Sequence, residues 1–177
     1  MRNQIRNLFA MAALCLTLAA CQTAGLKPEA INTSGFPPAG WVTERSGKTV
    51  TYSCPQPRCK SPQLVGITPI KIRGDVEAAI RSGQLSRELL QALDNLVTVA
   101  TKQQIKLSTP RTIKNANYSG FEHHMTFQTS KGPLYVIARS IVQKDRGSIA
   151  VSAALNKSTA ERNLRKFLAQ TEIRRVQ

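Results

Sequence analysis

Three consecutive segments between residues 121 and 155 constrain the fold of this chain more than any other feature. The first, 121–127, alternates apolar and polar residues with the period of a half-buried strand. The second, 134–143, is apolar on both faces, which predicts a central strand, and the third, 148–155, alternates again. Because short turns join these segments, the sequence predicts an antiparallel meander.

Further strands are predicted before this meander, but their patterns are weaker. Residues 48–53 alternate, and residues 63–72 are rich in β-branched side chains, although Pro69 indicates an edge or bent strand. Residues 103–119 are polar and are predicted to form a loop with one short strand.

Two longer segments have the period of an amphipathic helix. The first is 87–102, which follows an N-cap at Ser86. Its predicted buried residues are Leu89, Leu93, Leu96, Val97 and Ala100. The second begins at Ser158 and Glu161, which match a capping box. Its predicted inner residues are Ala160, Leu164, Phe167, Leu168 and Thr171.

A shorter helix is predicted over 75–81, with Asp75 as its cap and Gly83 after its end. The complete pattern predicts an α+β fold: an antiparallel sheet of about four to five strands with two main amphipathic helices. The order of elements, a meander followed by a C-terminal helix, is similar to that of PsbP-like domains.

The N-terminus has the features of a secretory signal peptide, with basic residues before an apolar run over 8–20. This run is shorter than the roughly 20 residues that cross a bilayer. It ends in Leu18-Ala19-Ala20-Cys21, which resembles the lipobox of bacterial membrane lipoproteins. The alternative is a plain secretory signal in which the cysteine has no role.

The lipobox resemblance implies cleavage before Cys21 and acylation of that residue, so that a lipid anchor holds the protein on a membrane. Gln22 stands where an Asp often retains such proteins in the inner membrane. The expected location is therefore the bacterial cell envelope, at the outer membrane and facing the periplasm.

The predicted organisation has three parts. Residues 1–20 form the signal peptide, and residues 21–40 contain the lipidated cysteine and a flexible tether. The tether is inferred from a content of Gly and Pro without periodicity. Residues 41–177 form a single basic α+β domain.

Cys54 and Cys59 are predicted to form a disulfide. Cleavage removes Cys15 and acylation uses Cys21, so this pair remains in a compartment where disulfides persist. The spacing does not fit a C-x-x-C redox motif, and a zinc site would need two further ligands. We expect no metal and no cofactor.

The charge of the chain is strongly positive, with 25 basic and 10 acidic residues and a net charge of +15. Removal of residues 1–20 leaves 23 basic residues and a net charge of +13. Such a charge attracts anionic partners, which in an envelope are acidic polymers, lipids or proteins. Nucleic acid is not expected, because aromatic residues are few and not interleaved with the basic ones. The alternative is that the charge only keeps the domain soluble.

The best candidate binding surface is the basic side of the last helix and the residues that follow it. It consists of Arg162, Arg165, Lys166, Arg174 and Arg175. The planar arginine guanidinium suits phosphate and carboxylate groups. The alternative is a solvated helix face without a ligand.

Adjacent histidines, His123 and His124, are the candidates for acid–base chemistry together with Glu122. Alternation places His123 towards the core and His124 on the opposite side with Glu122. No nucleophile motif accompanies them, so we expect no catalytic residues and no enzymatic activity. The expected role is binding or scaffolding in the envelope. The alternative is an accessory subunit that docks on an outer-membrane secretion or transport assembly.

Overall fold

The computed structural model describes residues 25–130 and 132–177. The signal peptide, Cys15, Gln22 and the lipobox with Cys21 lie outside these ranges. The strands within them are β1 (Ile31–Asn32), β2 (Val42–Ser46), β3 (Thr49–Cys54), β4 (Gln63–Ile70), β5 (Ile105–Lys114), β6 (Ser119–Thr129), β7 (Gly132–Gln143), β8 (Arg146–Ala154) and β9 (Glu172–Ile173). The helices are α1 (Val76–Ser82), α2 (Arg87–Ala100) and α3 (Lys157–Gln170).

One antiparallel sheet of seven strands dominates the fold, in the order β2-β3-β4-β8-β7-β6-β5. The short strands β1 and β9 pair separately. The meander predicted from the sequence is present as β6, β7 and β8. Its register sets Glu122 opposite Arg139, and Arg139 opposite Ala150. These pairings determine which side chains share one face of the sheet.

The predicted α+β fold with a sheet of four to five strands is wrong. The structure is dominated by strands: it has a seven-stranded and a two-stranded sheet, and strand accounts for 44% of it and helix for 25%. The strands that the sequence predicted only in part or not at all are the two edge strands, β2 and β5. Every residue of β2 is exposed, so this strand has no alternating pattern. In β5, Pro110 and a bulge between Ser108 and Arg111 interrupt the alternation. Edge strands of this kind bury too little to show a periodic signal.

Residues 25–40 belong to the folded domain, so the predicted tether over 21–40 is wrong from residue 25 onwards. The buried side chains of this segment include Leu26, Ala30 and Phe36. The Phe36 ring packs edge-to-face on Tyr52 and Phe167, with ring centroids 4.9 and 5.3 Å apart. Its apolar residues are irregularly spaced, so periodicity does not reveal them.

Helix α3 covers one side of the sheet, which we call the front, and packs on β4, β7 and β8. Its inner side is close to the prediction: Ala160, Leu164, Phe167 and Thr171 are buried, and Leu168 is half-buried. The predicted capping box at Ser158 and Glu161 is wrong. The cap is Asn156, whose side-chain oxygen accepts the backbone N–H of Thr159 at 3.2 Å.

The disulfide between Cys54 and Cys59 is confirmed, with the two Cα atoms 5.8 Å apart. Cys54 is the last residue of β3 and is buried, whereas Cys59 lies in the loop that leads to β4. The bond therefore ties this loop to the edge of the core.

The opposite side of the sheet, which we call the back, carries α1. Ile80 of this helix packs on Phe121 and Val142. The predicted caps of α1 are confirmed, because Asp75 accepts the backbone N–H of Ala78 at 2.9 Å and Gly83 adopts a left-handed conformation.

Helix α2 lies along the edge strand β5 and is capped by Ser86, as predicted. Its predicted buried face is wrong. Four large apolar residues of the predicted face are exposed, and we call this set, Leu89, Leu93, Leu96 and Val97, the α2 apolar stripe. Val99 and Ala100 are exposed as well. Asp94 is buried instead, and the Thr98 hydroxyl accepts the backbone N–H of Leu107 at 3.3 Å. The helix thus turns polar side chains towards the edge strand, whose free backbone groups need partners.

Candidate anion-binding cleft

A polar cleft opens on the front of the sheet between α3 and the strands β5, β6 and β7. It consists of two adjoining depressions of about 480 and 100 Å³, and both are lined by Arg139 and Arg165. Helix α3 packs mainly on β7 and β8, and the front side chains Arg111, Glu122 and His124 of β5 and β6 line the cleft beside the helix.

Strand pairing brings the charged residues of the cleft into one row. Arg111 of β5 lies opposite Glu122 of β6, which lies opposite Arg139 of β7. Directly paired residues of antiparallel strands point to the same face. His124 follows Glu122 by two positions and therefore points to the front as well.

Glu122 is the acidic centre of this row. Its carboxylate accepts hydrogen bonds from Arg111 at 2.7 Å, from Arg139 at 2.5 Å and from the Nε2 atom of His124 at 3.2 Å. Burial alone would raise the pKa of Glu122, but these hydrogen bonds outweigh it and lower the pKa to about 2. The residue is therefore charged at every physiological pH.

Arg139 is one of the two basic residues that line both depressions. Burial opposes its charged form, but contacts with Glu122 and the Tyr118 hydroxyl prevail and raise its pKa. Its Nε atom is buried without a hydrogen-bond partner among the described residues. A buried N–H without a partner is costly, so the hydrogen bond to Glu122 must offset this cost of burying Arg139.

The basic face of α3, defined as Arg162, Arg165 and Lys166, borders this cleft. All three side chains are exposed, and none forms an ion pair with another residue of the described ranges. Arg165 lines both depressions, whereas Arg162 bonds to the Thr159 hydroxyl at 3.3 Å on its own helix. The structure therefore brings one of the predicted residues to the cleft and leaves two beside it.

Arg174 and Arg175 do not belong to the basic face of α3. Arg174 is paired with Glu172 at 2.6 Å. Arg175 is bonded to Glu77 of α1 at 2.8 and 2.9 Å. Both guanidinium groups thus already have carboxylate partners, so the predicted surface of five residues reduces to three.

His123 and His124 point to opposite sides of the sheet, as predicted. His123 forms a hydrogen bond with the Thr109 hydroxyl at 3.1 Å on the back, while His124 contacts Glu122 on the front. Burial lowers the pKa of His123 although the nearby Asp94 carboxylate opposes this shift. The pair therefore cannot act as one acid–base unit.

Sequence reasoning missed Arg111, Tyr118 and Arg139. A signal existed for Arg139, which is the one charged residue within the apolar run of 134–143. A charge at a central strand position needs a partner on the neighbouring strand. Nothing comparable marks Arg111, because its partner is defined only after the bulge in β5.

No group of histidine, cysteine and acidic side chains within 25–130 and 132–177 is arranged to hold a metal ion. In the same ranges, no helix is long and apolar enough to span a membrane. A comparison with models of protein families matched none of them. A comparison with curated proteins also gave no match.

Proposed function

We propose that this protein is a non-catalytic binding protein of the bacterial envelope that is anchored by a lipid on Cys21 and binds an anionic component with the basic face of α3. The observation that carries the proposal is the position of this face. Its three side chains are exposed and have no carboxylate partners among the described residues; Arg165 lines the cleft, and Arg162 and Lys166 lie beside it on the same helix.

The charge balance of the cleft supports an anionic ligand. Arg111, Arg139 and Arg165 contribute three positive charges, and Glu122 and Glu161 contribute two negative ones. Arg162 and Lys166 add two more positive charges at the margin. Guanidinium groups bind phosphate and carboxylate oxygens with two parallel hydrogen bonds, so we expect a ligand that carries phosphate or carboxylate groups.

Binding to a soluble acidic polysaccharide, polygalacturonate, tests this proposal. The variant Arg162→Gln/Arg165→Gln/Lys166→Gln is expected to bind about tenfold more weakly and to depend less on salt, because fewer counterions are exchanged. The control Lys60→Gln/Lys71→Gln/Lys102→Gln removes the same charge at exposed positions elsewhere. Equal losses in both variants would show that only the net charge matters.

The lipid anchor is tested separately by labelling growing cells with a radioactive fatty acid. We expect label on the wild-type protein and none on the Cys21→Ala variant. Two acyl chains hold a protein stably on a membrane, so the variant is also expected to leave the membrane fraction. Unlabelled wild-type protein would contradict the anchor but not the binding role of α3.

A second candidate function is docking on an envelope assembly, and the α2 apolar stripe favours it. Leu89 and Leu93 are 48% exposed and Leu96 is 66% exposed. A contiguous row of large apolar side chains on a surface is typical of a protein interface. Crosslinking in cells from position 93, with position 91 on the polar side as control, is expected to yield one defined protein if this function is correct.

A further inference from the structure

A second basic cavity lies at the end of the domain where the described chain begins. It has a volume of about 240 Å³ and lies on the front of the sheet near the β2–β3 turn. The residues that line it include the cations Lys27, Arg45 and Lys48 and the apolar side chains of Val50 and Ile67. No carboxylate side chain lines the cavity among the described residues.

The three cations surround the buried apolar side chains of Val50 and Ile67. Arg45 projects from β2 opposite Val50, and Lys48 occupies the turn that follows. The Nζ atom of Lys27 donates a hydrogen bond to the main-chain oxygen of Gln177 at 2.6 Å. Val50 and Ile67 are buried beneath them, so the cavity combines a charged margin with an apolar interior.

The backbone at the start of the domain is fastened to this cavity. Gly25 has a positive φ of 78°, and a Cβ atom there would lie 2.7 Å from the Cβ of Pro69. The N–H of Gly25 bonds to the Ile70 carbonyl at 3.4 Å, and the N–H of Leu26 bonds to the Ser148 hydroxyl at 3.3 Å. The chain therefore enters the domain at one fixed point on the cavity wall.

Covalent geometry places this point close to the proposed anchor. Three residues lie between Cys21 and Gly25, so four Cα–Cα steps separate the two residues, and four extended steps span at most about 14 Å. If Cys21 carries the lipid, the cavity lies within reach of the membrane surface, where an anionic leaflet attracts cations over a Debye length of about 8 Å. The cavity wall at Gly25 is thus the part of the described domain that lies nearest to the proposed anchor along the chain.

We propose that this cavity binds the phosphate headgroup of an anionic phospholipid in the anchoring membrane, through Arg45, Lys48 and Lys27. The phosphate contacts the cations, and the apolar interior accepts the adjoining part of the glycerol and acyl chains. This inference rests on the proposed anchoring at Cys21. It does not depend on the basic face of α3, which would remain free to bind its own ligand.

The test uses the full lipid-anchored protein, purified from membranes and reconstituted in vesicles of phosphatidylcholine alone or with phosphatidylglycerol. Hydrogen exchange is measured for the backbone amides of 25–27 and 45–50. We expect slower exchange only in the vesicles with phosphatidylglycerol. The variant Arg45→Gln/Lys48→Gln should lose this protection, whereas Lys60→Gln/Lys102→Gln, which removes the same charge at exposed positions elsewhere, should keep it. Equal exchange in both vesicles, or equal loss in both variants, would overturn the proposal.

If the protein carried no lipid, the proposed anchor would be wrong. Binding of anionic headgroups by the cavity would then be measured by co-sedimentation of the unlipidated protein with the same vesicles. Each basic residue near an anionic surface strengthens binding about fivefold, so Arg45→Gln/Lys48→Gln should bind about thirtyfold more weakly. Weaker co-sedimentation of the variant than of the wild-type protein supports the headgroup site. Equal co-sedimentation of the two proteins overturns it.

Discussion

The carboxylate of Glu77 in α1 accepts hydrogen bonds from both terminal nitrogens of Arg175, at 2.8 and 2.9 Å. Arg81 and the backbone N–H of Lys144 add bonds at 3.0 and 2.9 Å. Burial alone would raise the pKa of Glu77, whose side chain is 3% exposed, but these bonds lower it to about 2. The C-terminal segment is thereby fastened to the back of the sheet through α1.

Replacement of Glu77 by Gln is expected to lower the free energy of unfolding by about 2 kcal/mol at pH 7, a value below the full pKa shift because Arg81 and Arg175 are partly exposed. A lowered pKa stabilises the fold above the unfolded value of about 4.5, and this contribution disappears as the pH falls towards 2. Chemical denaturation across this pH range should therefore show a shallower pH dependence for Glu77→Gln.

Glu172→Gln is the matched control for this measurement, because Glu172 forms an exposed pair with Arg174. Its removal should leave the free energy of unfolding almost unchanged. A Glu77→Gln variant as stable as this control would contradict the structural role of the Glu77–Arg175 pair.

Removal of Glu122 is expected to destabilise the domain through Arg139. The variant Glu122→Leu leaves the guanidinium of Arg139 buried without its carboxylate, which costs about 3 kcal/mol. The double variant Glu122→Leu/Arg139→Leu should recover most of this loss, since it buries no unpaired charge. Urea unfolding of the single and double variants measures both effects, and additive losses would argue against a coupled pair.

Phe36→Ala is expected to cost about 3–5 kcal/mol, because the ring is 3% exposed and its loss leaves a cavity beside Tyr52 and Phe167. Thermal unfolding provides the measurement, with the exposed Ser34→Ala two residues earlier as the control. A flexible tether would make both substitutions neutral, so similar melting temperatures would contradict the packing of this segment.

Polar substitutions in the α2 apolar stripe are expected to leave the fold intact. Leu93→Gln and Leu96→Gln should change the free energy of unfolding by less than about 1 kcal/mol, because both side chains are exposed. Leu164→Ala in α3, where the side chain is buried, should cost about 3 kcal/mol. Unfolding curves in which the Leu93 and Leu164 variants lose similar stability would show that the stripe is buried.

Local patterns predicted those elements whose burial alternates along the chain. The meander of β6, β7 and β8 was expected because its strands occupy the inner part of the sheet, where one or both faces are covered. The position of α2 was also expected from Ser86 and the apolar period, but its orientation was not. A period identifies an amphipathic helix without showing which neighbour its faces will meet.

Some residues of the candidate cleft could be predicted from local sequence patterns, and others could not. Arg165 was expected from the basic side of the last helix, and the separation of His123 from His124 followed from alternation. The row of Arg111, Glu122 and Arg139 required the register of three strands. Register is a relation between distant segments, so it is absent from the pattern of any single one.

The sequence by itself determined the segments with strong local periodicity, the cysteine pair that forms the disulfide, and a net charge that suits anionic partners. The tertiary structure alone decided the edge strands, the burial of Phe36, the exposure of the α2 apolar stripe and the ion pair between Arg175 and Glu77. The physical reason is that alternation and capping act between residues a few positions apart. Burial and ion pairing depend on which distant surface is present to cover a side chain or to neutralise its charge.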